Sequence, residues 1–234
     1  MTSVTGNLPK ELLPVAGKPL LQWTLEEAVA AGIERAVVVT SPDKPQIAEF
    51  LATHPPMHPS TTLVVQPEPR GLGDALTRAR SIARDEAVAM MLPDNLFGPR
   101  TRVPAIGPVL DAYRHTGVSA VLIAAGGKWA GATGQAHCRP RSDGLWDVLS
   151  VAEKAPVEPS TLTPIGRWVF DAAEFERFER LRAGLPPGGG TELDDVPVLQ
   201  QLAAEGHLIG VPLAGDFFDV GQPGGYRDAL AALT

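Results

Sequence analysis

Cysteine is nearly missing from this chain of 234 residues: Cys138 is the only one. One thiol cannot close an intrachain disulfide, and it cannot build a zinc site from several cysteines. A reducing cytosol is the simpler compartment for such a chain. Basic charge is also short, with 20 Lys and Arg against 27 Asp and Glu and a net charge of −7. Nonspecific nucleic-acid binding needs a basic footprint, so nucleic acid is not an expected partner. No apolar run approaches the roughly 18 residues of a membrane span. Met1 to Lys10 holds no apolar signal core. The expectation is a cytoplasmic protein without a membrane partner. Its five histidines, His54, His58, His115, His137 and His207, make no metal-ligand spacing. A Walker A loop, a Rossmann Gly-rich fingerprint and a nucleophile elbow are all missing.

Glycine and proline, in contrast, are plentiful. The chain has 24 Gly and 23 Pro, where average usage of the two together is roughly 12%. Loops must therefore be numerous. The glycines have no triplet period, which excludes collagen. Hydrophobic residues at 44% and charged residues at 20% are ordinary globular proportions and exclude a disordered tail. The length fits one large domain, or a domain with a small lobe, that buries its core without disulfides or a structural metal.

Along the first 125 residues helices alternate with short buried strands. Leu21, Leu25, Ala28 and Val29 fall at helical spacing, and Gly32 stops that helix. Strands are expected at Ala36 to Thr40, Thr61 to Val65, Ala87 to Leu92 and Ser119 to Ala124. Helices are expected over Pro45 to Ala52, Leu72 to Ile82 and Pro104 to His115. This rhythm predicts βαβ units and a doubly wound, mostly parallel sheet. It changes after Gly126. Strand-like runs occur at Trp146 to Val151 and Ile165 to Phe170, and a helix at Ala172 to Arg182. Pro186 to Gly190 makes a break. Thr191, with Asp194 three residues on, resembles a capping box opening a helix to about Glu205. A strand at His207 to Leu213 and a helix at Pro223 to Leu233 close the chain.

Open α/β sheets bind ligands beyond the carboxyl ends of their strands. Asp94, in Pro93-Asp94-Asn95, follows one such strand. It suits a divalent cation through oxygen, or else a plain turn. Gln66 to Gly73 joins a strand to a helix start, where free N–H groups suit a phosphate or a base edge, or else it is an ordinary loop. Glu153-Lys154 offers an acceptor for sugar hydroxyls and a point charge for phosphate, or else an exposed surface pair. Asp219, in Phe217-Phe218-Asp219-Val220-Gly221, is a second carboxylate. Two carboxylates on one Mg²⁺ would be a phosphoryl-transfer arrangement, and spacing alone does not show that Asp94 and Asp219 converge.

The run Pro9-Lys10-Glu11-Leu12-Leu13-Pro14-Val15, continuing Ala16-Gly17-Lys18-Pro19-Leu20, resembles the sugar-1-phosphate nucleotidyltransferases, and within them the bacterial uridylyltransferase branch. Gly71-Leu72-Gly73, Leu92-Pro93-Asp94, Glu153-Lys154, Gly166-Arg167 and Asp219-Val220-Gly221 follow in the family's order, so the resemblance spans nearly the whole chain. It implies a three-layer α/β/α fold with a Rossmann-like, mostly parallel sheet. Residues 1–125 would be the nucleotide-binding portion and residues 126–234 the sugar-phosphate-binding portion. It also implies a reaction. The phosphate oxygen of a sugar 1-phosphate attacks the α-phosphorus of a nucleoside triphosphate, and pyrophosphate leaves. UTP and glucose 1-phosphate are the first expectation.

The same resemblance implies roles, residue by residue. Lys10 and Lys154 would be catalytic, Lys10 on the triphosphate and Lys154 on the sugar phosphate. Gln66 and Gly71 would hold the base, Asp94 and Asp219 would hold Mg²⁺, and Glu153 would take sugar hydroxyls. Gly134 and Gly166 would line the sugar pocket. A homo-oligomer stays open. The family also opens with a strand and a Gly-rich loop ending in Gly-Thr-Arg, which by counting back from Lys10 would end just before Met1. The strand, the loop and its Arg are therefore expected to be missing. Losing one such donor typically costs about 10²–10³ in rate. A second expectation is thus a catalytically impaired nucleotide-sugar-binding or regulatory paralogue.

Overall fold

Residues 8–54, 60–68, 70–101, 103–125, 134–152, 162–184 and 195–234 are described by the computed structural model. They form two compact units. One comprises residues 1–67, 91–105 and 214–234; the other comprises residues 68–90 and 106–213.

The first unit begins at a 3-10 turn, Lys10–Leu12. A tight hairpin of β1 (Pro14–Val15) and β2 (Lys18–Pro19) follows and leads into α1 (Leu20–Ala30). Leu21, Leu25 and Ala28 are buried as their helical spacing predicts, but Val29 is 42% exposed and faces away from them. Strand β3 (Ala36–Thr40) pairs in parallel with β4 (Thr61–Val65), and α2 (Pro45–Thr53) connects them. This is a βαβ unit, formed because β-branched runs flank an amphipathic helix. Leu12, Leu21, Leu25, Ile47 and Phe50 form its buried cluster.

Two very short strands complete the unit. β6 (Asn95–Phe97) pairs antiparallel with β12 (Phe217–Asp219), with Asp219 opposite Asn95. The final helix α7 (Pro223–Leu233) packs beside them, and Val15, Leu20, Leu96, Val220 and Ala229 share a second core cluster.

The second unit holds a six-stranded sheet in the order β5-β10-β7-β11-β9-β8. Its strands are β5 (Val88–Met91), β7 (Ser119–Ala125), β8 (Gln135–Pro140), β9 (Trp146–Ala152), β10 (Leu162–Phe170) and β11 (Leu208–Pro212). Its helices are α3 (Gly71–Ala83), α4 (Ile106–Thr116), α5 (Phe175–Ala183) and α6 (Val196–Ala204). Ser119 to Ile123 and Ile165 to Phe170 are continuously buried, so these strands are covered on both faces. Helix α4 packs against β7, β10 and β11, and α6 against β9 and β11.

The α/β class and most element positions match the sequence expectation, but the mostly parallel sheet does not. Only β7–β11 in this unit and β3–β4 in the other are parallel among ladders with a described register. β7–β10, β8–β9, β9–β11 and β8–β10 are antiparallel. A strand buried on both faces is continuously apolar whichever way its neighbours run, so the apolar pattern does not report direction. The capping box at Thr191 and Asp194 lies outside the described residues.

Candidate functional site

The Pro-Lys-Glu-Leu-Leu-Pro run folds as a single turn in which Leu12 and Leu13 turn inward and Lys10 outward. Lys10 Nζ donates a hydrogen bond to Asp94 Oδ2 at 2.6 Å. Asp94 stands in the turn after β5, where Asn95 N donates to Leu92 O at 3.2 Å. Asn95 Nδ2 donates to the other carboxylate oxygen of Asp94, Oδ1, at 3.2 Å. The two oxygens of Asp94 are thus held by different donors, which fixes the plane of the carboxylate.

The β6–β12 ribbon brings the second carboxylate to the first. Asp219 ends β12 opposite Asn95, and Val220 N donates to Asp94 O at 2.8 Å. Gly221 shows how close the carboxylates are. A Cβ at that glycine would lie 2.8 Å from Asp219 Oδ1 and 3.2 Å from Asp94 Oδ2. Gly225, in the first turn of α7, is tighter still: its Cβ would lie 1.9 Å from the Asp219 carbonyl oxygen. Both positions need glycine because backbone and carboxylates occupy the space of a side chain.

The electrostatics follow from this crowding. Burial pushes the Asp219 carboxyl above its ordinary value, and the Asp94 charge pushes it further. The Gly221 N–H and Lys10 offset this only in part. For Lys10, burial pulls the ammonium down, but the charge and hydrogen bond of Asp94, with Glu11 and Asp219, outweigh it. Its pKa is raised.

Two carboxylates that both approach Gly221 are a donor set that a divalent cation could use. Mg²⁺ is commonly held by one or two carboxylates, with substrate phosphates and water completing six oxygens. Among the described residues no group of three or more His, Cys, Asp or Glu side chains could hold a metal by itself.

The other candidate residues fall elsewhere. Gln66 follows β4, and its N–H donates to Thr40 O at 2.6 Å. Gly71 opens α3 at φ +86°. Gly134 precedes β8, and a Cβ there would lie 3.3 Å from Ala152 O. Gly166 is buried where the β10–β7 register shifts between Ile165 and Trp168. Arg167 beside it is 1% exposed, with Nη1 donating to Gly166 O at 2.7 Å. Glu153 and Lys154 lie outside the described residues. Within the first unit, then, the structure brings Lys10, Asp94 and Asp219 together.

Sequence reasoning missed three participants: Asn95, Gly221 as a close approach, and Gly225. Asn95 stands beside Asp94 and reads as a turn residue in the sequence, whereas in the structure it opens β6, pairs with Asp219 and is 8% exposed. Burial of that kind becomes visible only once β12 lies against it.

The family model described as Nucleotidyl transferase matches residues 1–234. A UTP–glucose-1-phosphate uridylyltransferase of Haemophilus influenzae is 27% identical over 261 residues, covering 98% of this chain and 87% of the relative. One from Bacillus subtilis is 29% identical over 251 residues, covering 95% and 82%. Among solved structures, a UDP-glucose pyrophosphorylase complexed with UDP-glucose superposes with a TM-score of 0.84 at 24% identity, covering 96% of this chain and 89% of that one. A putative glucose-1-phosphate thymidylyltransferase from Bacillus anthracis superposes at 0.83 with 20% identity, covering 99% and 89%. At those identities the two structures speak for the fold alone.

Proposed function

Because the chain belongs to the nucleotidyl transferase family, we propose that it transfers the uridylyl group of UTP to glucose 1-phosphate. A phosphate oxygen of glucose 1-phosphate attacks the α-phosphorus of UTP. The bond from that phosphorus to the bridging oxygen breaks, and pyrophosphate leaves with that oxygen. The products are UDP-glucose and pyrophosphate. The observation that carries this reading is the convergence of Lys10, Asp94 and Asp219 in a chain whose curated relatives are named for this reaction.

Asp94 and Asp219 would hold Mg²⁺, which when bound neutralises charge on the triphosphate and on the departing pyrophosphate. Lys10 extends from its turn as a cation beside that pair and contacts the triphosphate. Gln66 and Gly71 hold the uracil. Lys154 takes the sugar phosphate and Glu153 the sugar hydroxyls, while Gly134 and Gly166 line the sugar pocket with backbone. Residues 1–125 supply most of the nucleotide contacts and residues 126–234 most of the sugar contacts. Most catalysis of this class is positioning plus charge stabilisation, and these groups supply both. The enzyme would act in the cytoplasm, where its nucleotide substrate is made.

The test is pyrophosphate release with glucose 1-phosphate, Mg²⁺ and each of UTP, dTTP, ATP and CTP. UTP should give the highest kcat/KM. A preference for dTTP would keep the reaction and overturn the base assignment. No release with any nucleotide would overturn the reading.

A further inference from the structure

The turn that places Lys10 is short. Lys10–Leu12 is a three-residue 3-10 turn, and Pro9 before it gives no side-chain cap. Such a turn has little rigidity of its own. Two contacts tie it to α2. Leu12 packs in the cluster that contains Ile47 and Phe50 of that helix. Beside Leu12, Glu11 Oε1 accepts a hydrogen bond from Lys44 Nζ at 2.9 Å, and Lys44 is the residue that opens α2.

This ion pair is an odd choice for stability alone. The Glu11 side chain is 20% exposed and that of Lys44 33%. Glu11 Oε2 is buried and has no hydrogen-bond partner among the described residues. Apolar residues of similar size would often fill such a place equally well or better, and a half-satisfied buried carboxylate is a cost. What the pair fixes is the backbone one residue away. Lys10 is attached to that backbone, has a side chain 44% exposed, and reaches Asp94 through a flexible stem.

We infer that Glu11 and Lys44 are positioning residues for Lys10: their ion pair anchors the turn so that Lys10 Nζ meets Asp94 and the triphosphate. The inference rests on the assignment of Lys10 to the triphosphate.

The test compares Lys44→Met, Lys44→Arg and the double variant Glu11→Leu/Lys44→Met, with Lys10→Met as reference. It measures kcat, KM for each substrate and Tm. Lys44→Met should lower kcat about 10- to 100-fold, the scale of a misplacement near 1 Å, and leave KM for glucose 1-phosphate unchanged. Lys44→Arg should return kcat to within about threefold of wild type, because it restores the charge. The double variant leaves no charge unpaired, so its Tm should recover while kcat stays low. Adding Lys44→Met to Lys10→Met should cause no further fall in kcat.

Recovery of kcat together with Tm in the double variant would show a role in stability alone and overturn the inference. So would wild-type kcat in Lys44→Met, or a full further loss when it is added to Lys10→Met. Wild-type kcat in Lys10→Met is a different failure: it would overturn the role of Lys10 itself.

Discussion

Asp219 is held in a state that the fold disfavours. Burial and the neighbouring Asp94 raise its pKa above the ordinary 3.8, so its charge is opposed in the folded chain and unopposed in the unfolded one. Folding therefore carries a penalty from this group at neutral pH. That penalty fades as pH falls through the raised pKa towards the ordinary value. Asp219→Asn should raise Tm at pH 7, and the gain should shrink in acid; a lower Tm at pH 7 would contradict the assigned electrostatics. The same variant should lose roughly 10²–10³ of turnover, the loss typical when one stabilising group at the reacting phosphate is removed. Cys138 makes a second residue-scale prediction. Burial pushes its thiol from 9.0 to about 11, so at pH 8 its thiolate should be about 100-fold scarcer than that of an ordinary thiol. Alkylation at pH 8 should be slow in native protein and fast in denaturant; equal rates would refute it.

The site depends on short elements meeting across long stretches of chain. Strands β6 and β12 have three residues each, and α7 is pressed onto Asp219 through Gly225. Gly225→Ala should destabilise the protein by about 1–3 kcal/mol, the usual cost of overpacking, because the clashing atom is backbone. Gly221→Ala meets side-chain oxygens instead, so it should spare Tm more and act on the cation, raising the Mg²⁺ needed for half-maximal turnover roughly tenfold. Denaturant melts and Mg²⁺ titrations of both variants check this contrast. Elsewhere, Tyr113 Oη on α4 donates to Asp171 Oδ2 at 2.6 Å, just after β10. Burial, then this hydrogen bond, raises the Tyr113 pKa from 10.0 to about 12. The stabilisation is whole below pH 10 and is lost as pH rises towards about 12. Wild type should thus weaken over that range relative to Tyr113→Phe.

Legibility in the sequence also varied with the scale of the element. Strands Ala36–Thr40 and Thr61–Val65 were legible because a run of β-branched residues between turns is a local signal. So was α7, whose Pro223 marks its first turn. The β6–β12 ribbon was not legible. Three-residue strands have no period to detect, and Phe217-Phe218-Asp219 finds its partner only through tertiary packing. Val29 followed the helical spacing, yet it lies beyond the edge of the buried stripe. Lys10, Asp94 and Asp219 were legible through motif order, but their convergence was not.

At the scale of the whole molecule, two acidic residues facing each other in a chain of net charge −7 would repel a triphosphate unless a cation joined them. That is the central proposal: Asp94 and Asp219 would accept a divalent cation, Lys10 would add a positive charge, and uridylyl transfer would occur beside them. The direct measurement is passage of label from α-phosphorus-labelled UTP into UDP-glucose, with glucose 1-phosphate and Mg²⁺, by wild type and by Asp94→Asn. The account predicts labelled UDP-glucose from wild type, loss of it on chelating Mg²⁺, and a fall of roughly 10² or more in Asp94→Asn with the fold intact by circular dichroism. Wild-type rates in Asp94→Asn, or labelling that persists without a divalent cation, would contradict it.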